Sequence, residues 1–171
     1  LEVDAAESDS YRLTALAVHA TVDVVIEQAS RWRPEVVVVT SDDARDHVAR
    51  ELPDVRVEAD LTAVVDVADV VINGVVGFAG LPVTIETLRQ GKTLGLANKE
   101  SLIAAGPVVH PLRKVHGAEI VPVDSEHCAI HQCLRSSNYG VDEVSRLVLT
   151  ASGGPFRGRS RESLSDVTVQ D

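Results

Sequence analysis

The run Val36-Val37-Val38-Val39-Thr40 sets five β-branched side chains in a row, and that constrains the fold more than anything else in the chain. A strand with one face in water alternates apolar and polar residues. One that is apolar at every position is covered on both faces, as in a parallel sheet with helices on each side. The neighbouring segments continue the theme. Arg12–Val18 reads as a strand, Thr21–Trp32 as a helix with Val24, Val25, Ala29 and Trp32 at helical spacing, and Asp42–Leu52 as a charged helix. Val55–Glu58, Val70–Val76, Thr93–Asn98 and Glu119–Val123 read as strands, with helices at Leu61–Val67 and at Leu81–Gln90, which Gly91 ends. This alternation predicts an α/β fold, a Rossmann-like doubly wound parallel sheet covering residues 1–121.

Composition excludes several function classes. The net charge of −10 argues against a nucleic-acid partner. No apolar run approaches the ~18 residues of a membrane span, and no signal-peptide pattern is present. Cys128 and Cys133 lie five apart on a predicted helix and point to different faces, so a disulfide is not expected and a reducing compartment is. A chain of 171 residues that begins Leu1-Glu2-Val3 and contains no methionine reads as a fragment of a longer protein. The Gly-x-Gly-x-x-Gly fingerprint that follows the first strand of a dinucleotide-binding fold is also missing. The first strand is therefore expected upstream, leaving an interior sheet edge unpaired.

Ligands of such folds bind over the C-terminal ends of the strands, so the residues there are the candidates. His19-Ala20-Thr21 follows the strand where NAD-binding enzymes place an acid for the ribose hydroxyls. No acid stands in that turn, which favours NADP; a surface-loop histidine is the plainer account of His19. Gly74 opens a glycine-rich turn, Asn73 to Gly80, where backbone can approach a ligand closely. Asn98-Lys99-Glu100 delivers an amide, a cation and an acid at one strand end, with Asn98 as a helix cap the competing explanation. Asp124-Ser125-Glu126 places two carboxylates around a hydroxyl, a donor set for Mg²⁺ or Mn²⁺, although Asp124 and Ser125 are also ordinary cap residues. Ser152-Gly153-Gly154-Pro155 follows the apolar segment Arg146–Thr150, read as a strand, and is either an anion-binding turn or a plain one. Glu126, His127, Cys128 and His131 form a further candidate set, for zinc.

Three blocks, Gly91 to Leu102, Val123 to His127 and Thr150 to Arg157, together resemble the 1-deoxy-D-xylulose 5-phosphate reductoisomerase family. The resemblance runs in order along nearly the whole chain. It implies NADPH- and divalent-metal-dependent rearrangement and reduction of 1-deoxy-D-xylulose 5-phosphate to 2-C-methyl-D-erythritol 4-phosphate. Asp124 and Glu126 would ligate Mg²⁺ or Mn²⁺. Lys99, Ser125, Glu126 and Ser152 would hold the phosphosugar, with Lys99 and Glu126 catalytic. Asn98, Glu100, Gly74, His19, Ala20 and Thr21 would line the NADPH site. Residues 122–171 would begin the metal- and substrate-binding domain, with a third acidic ligand and a lid beyond Asp171. The family implies a homodimer, in the bacterial cytoplasm or a plastid, and an inactive fragment. It usually carries glycine where His19 stands. The competing readings are another NADP-dependent Rossmann dehydrogenase and an isolated nucleotide-binding module.

Overall fold

The computed structural model describes residues 10–136, 140–150 and 152–171, and they fall into two units, one ending at Val123 and one running from Asp124 to Asp171. In the first unit, strands β1 (Ala15–Val18), β2 (Val36–Val39), β3 (Arg56–Glu58), β4 (Val70–Asn73), β5 (Thr93–Leu96) and β6 (Glu119–Pro122) alternate with helices. The helices are α1 (Val22–Trp32), α2 (Asp42–Glu51), the single turn α3 (Ala63–Asp66), α4 (Leu81–Arg89) and α5 (Glu100–Leu112). Every strand pairing is parallel, so the α/β expectation holds. The ladders form two three-stranded sheets, β1-β2-β3 and β4-β5-β6, in place of one continuous sheet. Both β1 and β4 keep one edge without a hydrogen-bonded neighbour among the described residues.

The valine run behaves as its sequence demands, for all four residues of β2 are at most 1% exposed. Because successive strand side chains point to opposite faces, Val37 and Val39 meet Val25, Ala29 and Val48 of α1 and α2. Val36 and Val38 meet Val64 and Val65 of α3, Val71 of β4 and Val83 of α4. That second cluster joins the two sheets through side chains where no backbone hydrogen bond does. A third cluster packs Leu94 and Leu96 of β5 under Leu81 and Leu88 of α4 and Ala105 and Val109 of α5. Around β4 the two-sided burial expected from the sequence is not met. Val71 and Asn73 are covered, whereas Val70 is 55% and Ile72 66% exposed. No described helix packs on that second face, which leaves the apolar side chains there in water.

Local chemistry explains the element ends. Arg33 takes a left-handed conformation (φ 48°) after α1, because Pro34 cannot continue the helix and the residue before a proline avoids the helical region. After α4, Gly91 turns at φ +67°, where an added Cβ would strike the His116 carbonyl oxygen. The length of α5 is the surprise. It contains Pro107 and Pro111 and survives by breaking its geometry at Ala105 (φ −127°, ψ 22°). Pro107 has no N–H for the Ile103 carbonyl, and Glu100–Leu112 is two helical segments that meet at a kink.

The second unit holds α6 (Ser125–Arg135) and short 3₁₀ turns at Gly140–Glu143, Gly154–Phe156 and Glu162–Leu164. The strand expected at Arg146–Thr150 is not formed. Leu147, Val148 and Leu149 are 56%, 65% and 50% exposed, and no described strand lies beside them to supply a ladder. The strand propensity of these residues has nothing to pair with.

The burial pattern sets a contrast that denaturation measures. Val38→Thr keeps the shape but buries a hydroxyl, and should cost about 1–3 kcal/mol. Val70→Thr, on the open face, should change stability by less than about 0.5 kcal/mol. Equal shifts in urea midpoint at constant m would contradict the assignment of faces.

Candidate functional site

The ends of β4 and β5 are tied by a buried polar network. Asn73, the last residue of β4, is 2% exposed and donates through Nδ2 to the Gly80 carbonyl (2.8 Å) and the Thr84 hydroxyl (3.0 Å). Its Oδ1 accepts from the Val75 amide (3.2 Å), folding the glycine-rich turn back over the strand end. Two residues after β5, Asn98 is 3% exposed and donates to the carbonyls of Val75 and Gly77. Its Oδ1 accepts from both the backbone N–H and the hydroxyl of Ser101, each at 3.0 Å. The backbone closes the same circuit, since the amides of Ala97 and Asn98 both donate to the Asn73 carbonyl. Gly80 packs between the two amides, and a Cβ there would lie 2.6 Å from Asn98 Nδ2 and 2.9 Å from Asn73 Oδ1.

The helix-cap explanation of Asn98 is realised. Both ends of the amide are used inside the protein, capping the first turn of α5 and holding the 75–77 loop. The groups presented outward are those beside it. Lys99 and Glu100 are exposed at the start of α5, and Gly74 is exposed with nothing within 4 Å of where its Cβ would stand. The sequence reading passed over Asn73, whose only signal was a polar residue closing an otherwise apolar strand.

At the other sheet, β1 and β2 end side by side, with Val18 opposite Val39. The ladder continues past both, through Thr40 N–H to the Val18 carbonyl (3.2 Å) and Ser41 N–H to the His19 carbonyl (3.2 Å). His19, Ala20 and Thr21 are all exposed there. The His19 ring is not a free surface side chain: its Nδ1 lies 2.8 Å from the Thr40 hydroxyl. Thr40 was not singled out from the sequence, where it reads as the last residue of the valine run.

In the second unit, Asp124 is the N-cap of α6. One carboxylate oxygen accepts from the His127 amide (3.1 Å) and meets His127 Nδ1 at 2.6 Å, and the side chain is 12% exposed. The capping explanation of Asp124 is therefore realised, and it leaves a carboxylate oriented by an imidazole, as metal-binding carboxylates commonly are. Ser125 is exposed and Glu126 half-buried in the first turn that follows. Ser152 is exposed, its hydroxyl 3.5 Å from the Gly154 amide ahead of the 3₁₀ turn. The zinc set of Glu126, His127, Cys128 and His131 does not assemble. Among the described residues no three His, Cys, Asp or Glu side chains converge on a point that could hold a metal. Helical spacing put these residues near one another without turning them inward to a common centre.

Parallel strands, covering helices and a ligand-ready row of strand ends define a Rossmann-like α/β domain. The sequence places it further. Residues 1–106 match the family model described as 1-deoxy-D-xylulose 5-phosphate reductoisomerase, and residues 120–171 match that of the C-terminal domain. The chain belongs to the 1-deoxy-D-xylulose 5-phosphate reductoisomerase family. It is 41% identical to the Acaryochloris marina enzyme of that name, over 100% of this chain and 44% of the relative. The Exiguobacterium sibiricum enzyme is 40% identical over 99% of this chain and 45% of its own length. The chain thus spans less than half the length of these curated relatives. Among solved structures, the Zymomonas mobilis enzyme in complex with NADPH superposes with a TM-score of 0.78 at 34% identity, covering 98% of this chain and 45% of that one. A DOX-P reductoisomerase in complex with NADPH, fosmidomycin and magnesium gives 0.77 at 30% identity, again covering 98% and 45%.

If Gly80 is confined by the two asparagines, Gly80→Ala should cost about 1–3 kcal/mol and Asn98→Ala a similar amount. The double variant should lose less than the sum, because truncating Asn98 removes the atom nearest the new methyl. Strict additivity in thermal melts would show that the two positions do not interact.

Proposed function

We propose that this chain is the NADPH-binding part, and the beginning of the metal- and substrate-binding part, of an enzyme that rearranges and reduces 1-deoxy-D-xylulose 5-phosphate to 2-C-methyl-D-erythritol 4-phosphate. The observation that carries this reading is the exit of β6. Val123 still belongs to the sheet, its N–H on the Leu96 carbonyl (3.0 Å), and the next residues are Asp124, Ser125 and Glu126. On this reading residues 1–121 form the cofactor domain and residues 122–171 open the catalytic one.

The residues present fit both groups. Exposed Gly74 lets a nucleotide approach main chain, and the Asn73–Asn98 network holds that turn in one shape. Glu100, His19, Ala20 and Thr21 are exposed at strand ends where a dinucleotide can reach them. Asp124 and Glu126 offer hard oxygen donors suited to Mg²⁺ or Mn²⁺, and His127 holds the Asp124 carboxylate in orientation. When bound, the cation supplies Lewis-acid polarisation of a carbonyl and NADPH supplies hydride. Lys99 supplies an exposed positive charge of the kind that stabilises a developing oxyanion. Ser125 and Ser152 present hydroxyls to a polar phosphosugar. Active protein is expected to be a homodimer. Among the described residues no helix is long and apolar enough to cross a membrane.

In the full-length protein, Asp124→Ala or Glu126→Ala should lower metal-dependent NADPH oxidation with deoxyxylulose phosphate and Mn²⁺. The loss should exceed the roughly 10–100-fold typical of groups that only orient a ligand. Chelation should abolish turnover and added Mn²⁺ restore it. Unchanged rates in both variants would remove the metal assignment.

A further inference from the structure

We infer that Thr40 is a positioning residue that sets nucleotide preference, by fixing the His19 imidazole so that its Nε2–H grips the 2′-phosphate of a phosphorylated dinucleotide. The inference rests on the NADPH reading above and deepens it. In parallel sheets of this kind, the residue after the strand that meets the adenosine ribose decides between a 2′-hydroxyl and a 2′-phosphate. An acid there accepts from the hydroxyl and repels the phosphate. Here the turn is His19-Ala20-Thr21, with no acid, and the only side chain in it with strong donors is His19.

The ring is held, not free to sample the loop. Val18 and Val39 are in register, the backbone bonds of Thr40 and Ser41 extend the ladder one step further, and the two side chains that follow the strands meet at 2.8 Å. The Thr40 hydroxyl can give or take the hydrogen bond at Nδ1, and the proton on Nε2 follows from which it does. If the Thr40 hydroxyl donates to Nδ1, the neutral ring must carry its proton on Nε2. If the ring is protonated, Nδ1–H donates to Thr40 Oγ1 and Nε2–H remains. In both of these arrangements the outward nitrogen is a donor; the remaining one, a neutral ring with Nδ1–H donating to Thr40 Oγ1, leaves Nε2 an acceptor, and a phosphate oxygen at Nε2 selects against it. No hydrogen bond within the described residues uses Nε2. A phosphate oxygen is an acceptor that such a donor fits; a ribose hydroxyl is served far less selectively. The nearest acid along the chain is Asp23, in the first turn of α1; after β2, Asp42 and Asp43 open α2, and Asp42 is paired with Arg45 at 2.8 Å.

Equilibrium binding to the full-length protein, read by nucleotide fluorescence without substrate, tests this. His19→Ala and Thr40→Val should each weaken NADPH about tenfold, the loss of one charge-assisted hydrogen bond, with NADH changed less than about twofold. Thr40→Ser should bind as wild type. The double variant His19→Ala/Thr40→Val should be no worse than His19→Ala, since Thr40 acts through the ring. His19 is exposed, so its truncation should leave folding intact, and a melt confirms it. Equal weakening of NADPH and NADH, or unchanged NADPH binding by His19→Ala, would overturn the inference. If wild type binds neither nucleotide, the NADPH reading itself fails, and the two failures are thereby told apart.

Discussion

The shape of the ligand-binding edge depends on two buried amides. Asn73 ends β4 and Asn98 follows β5 by two residues, both inside the protein, where an unpaired amide would cost about 1–3 kcal/mol. Their side chains bond to the turn between Asn73 and Gly80, to Thr84 of α4 and to the start of α5. A network of this kind is favourable only when complete, so the turn, the helix start and the two strand ends take one arrangement together. Gly74, Lys99 and Glu100 inherit their positions from it. The groups that would touch a ligand are exposed, while the amides that place them are buried and hydrogen-bonded.

Much of this fold is readable from residues alone. The valine run announces a strand buried on both faces because no other element hides four consecutive valines, and β2 is that strand. Helical spacing locates α1, α2 and α4 because their burial is one-sided. What was not legible depends on partners distant in sequence. A strand-like segment at Arg146–Thr150 becomes a strand only beside another, and none of the described residues supplies one. The open face of β4 fails for the same reason. The path of α5 through Pro107 was hidden because a proline in sequence does not say whether a helix ends or bends.

The candidate site divides along the same line. The Asp124 block, Lys99 and Glu100 were legible because their chemistry is written in residue type and adjacency. Asn98 was legible as a strand-end residue, but the protein partners of its Oδ1 and Nδ2 are ones that no local pattern reveals. Thr40 was invisible as a functional residue, because its meaning comes from standing opposite His19 across two strands. At Asp124 the cap is realised, with one oxygen accepting from the His127 amide and meeting its Nδ1, an arrangement compatible with the proposed cation site.

The valine run that anchors both clusters of the first sheet has a second consequence, during folding. Before α1, α2 and α3 have covered it, Val36 to Thr40 is an uncharged, proline-free stretch of high β propensity, the kind that pairs readily between chains. Its borders temper this. Glu35 precedes the run and Asp42 and Asp43 follow it closely, like charges that oppose stacking of unfolded copies. The residues that make the native core most secure are thus the ones that most need cover while the chain folds.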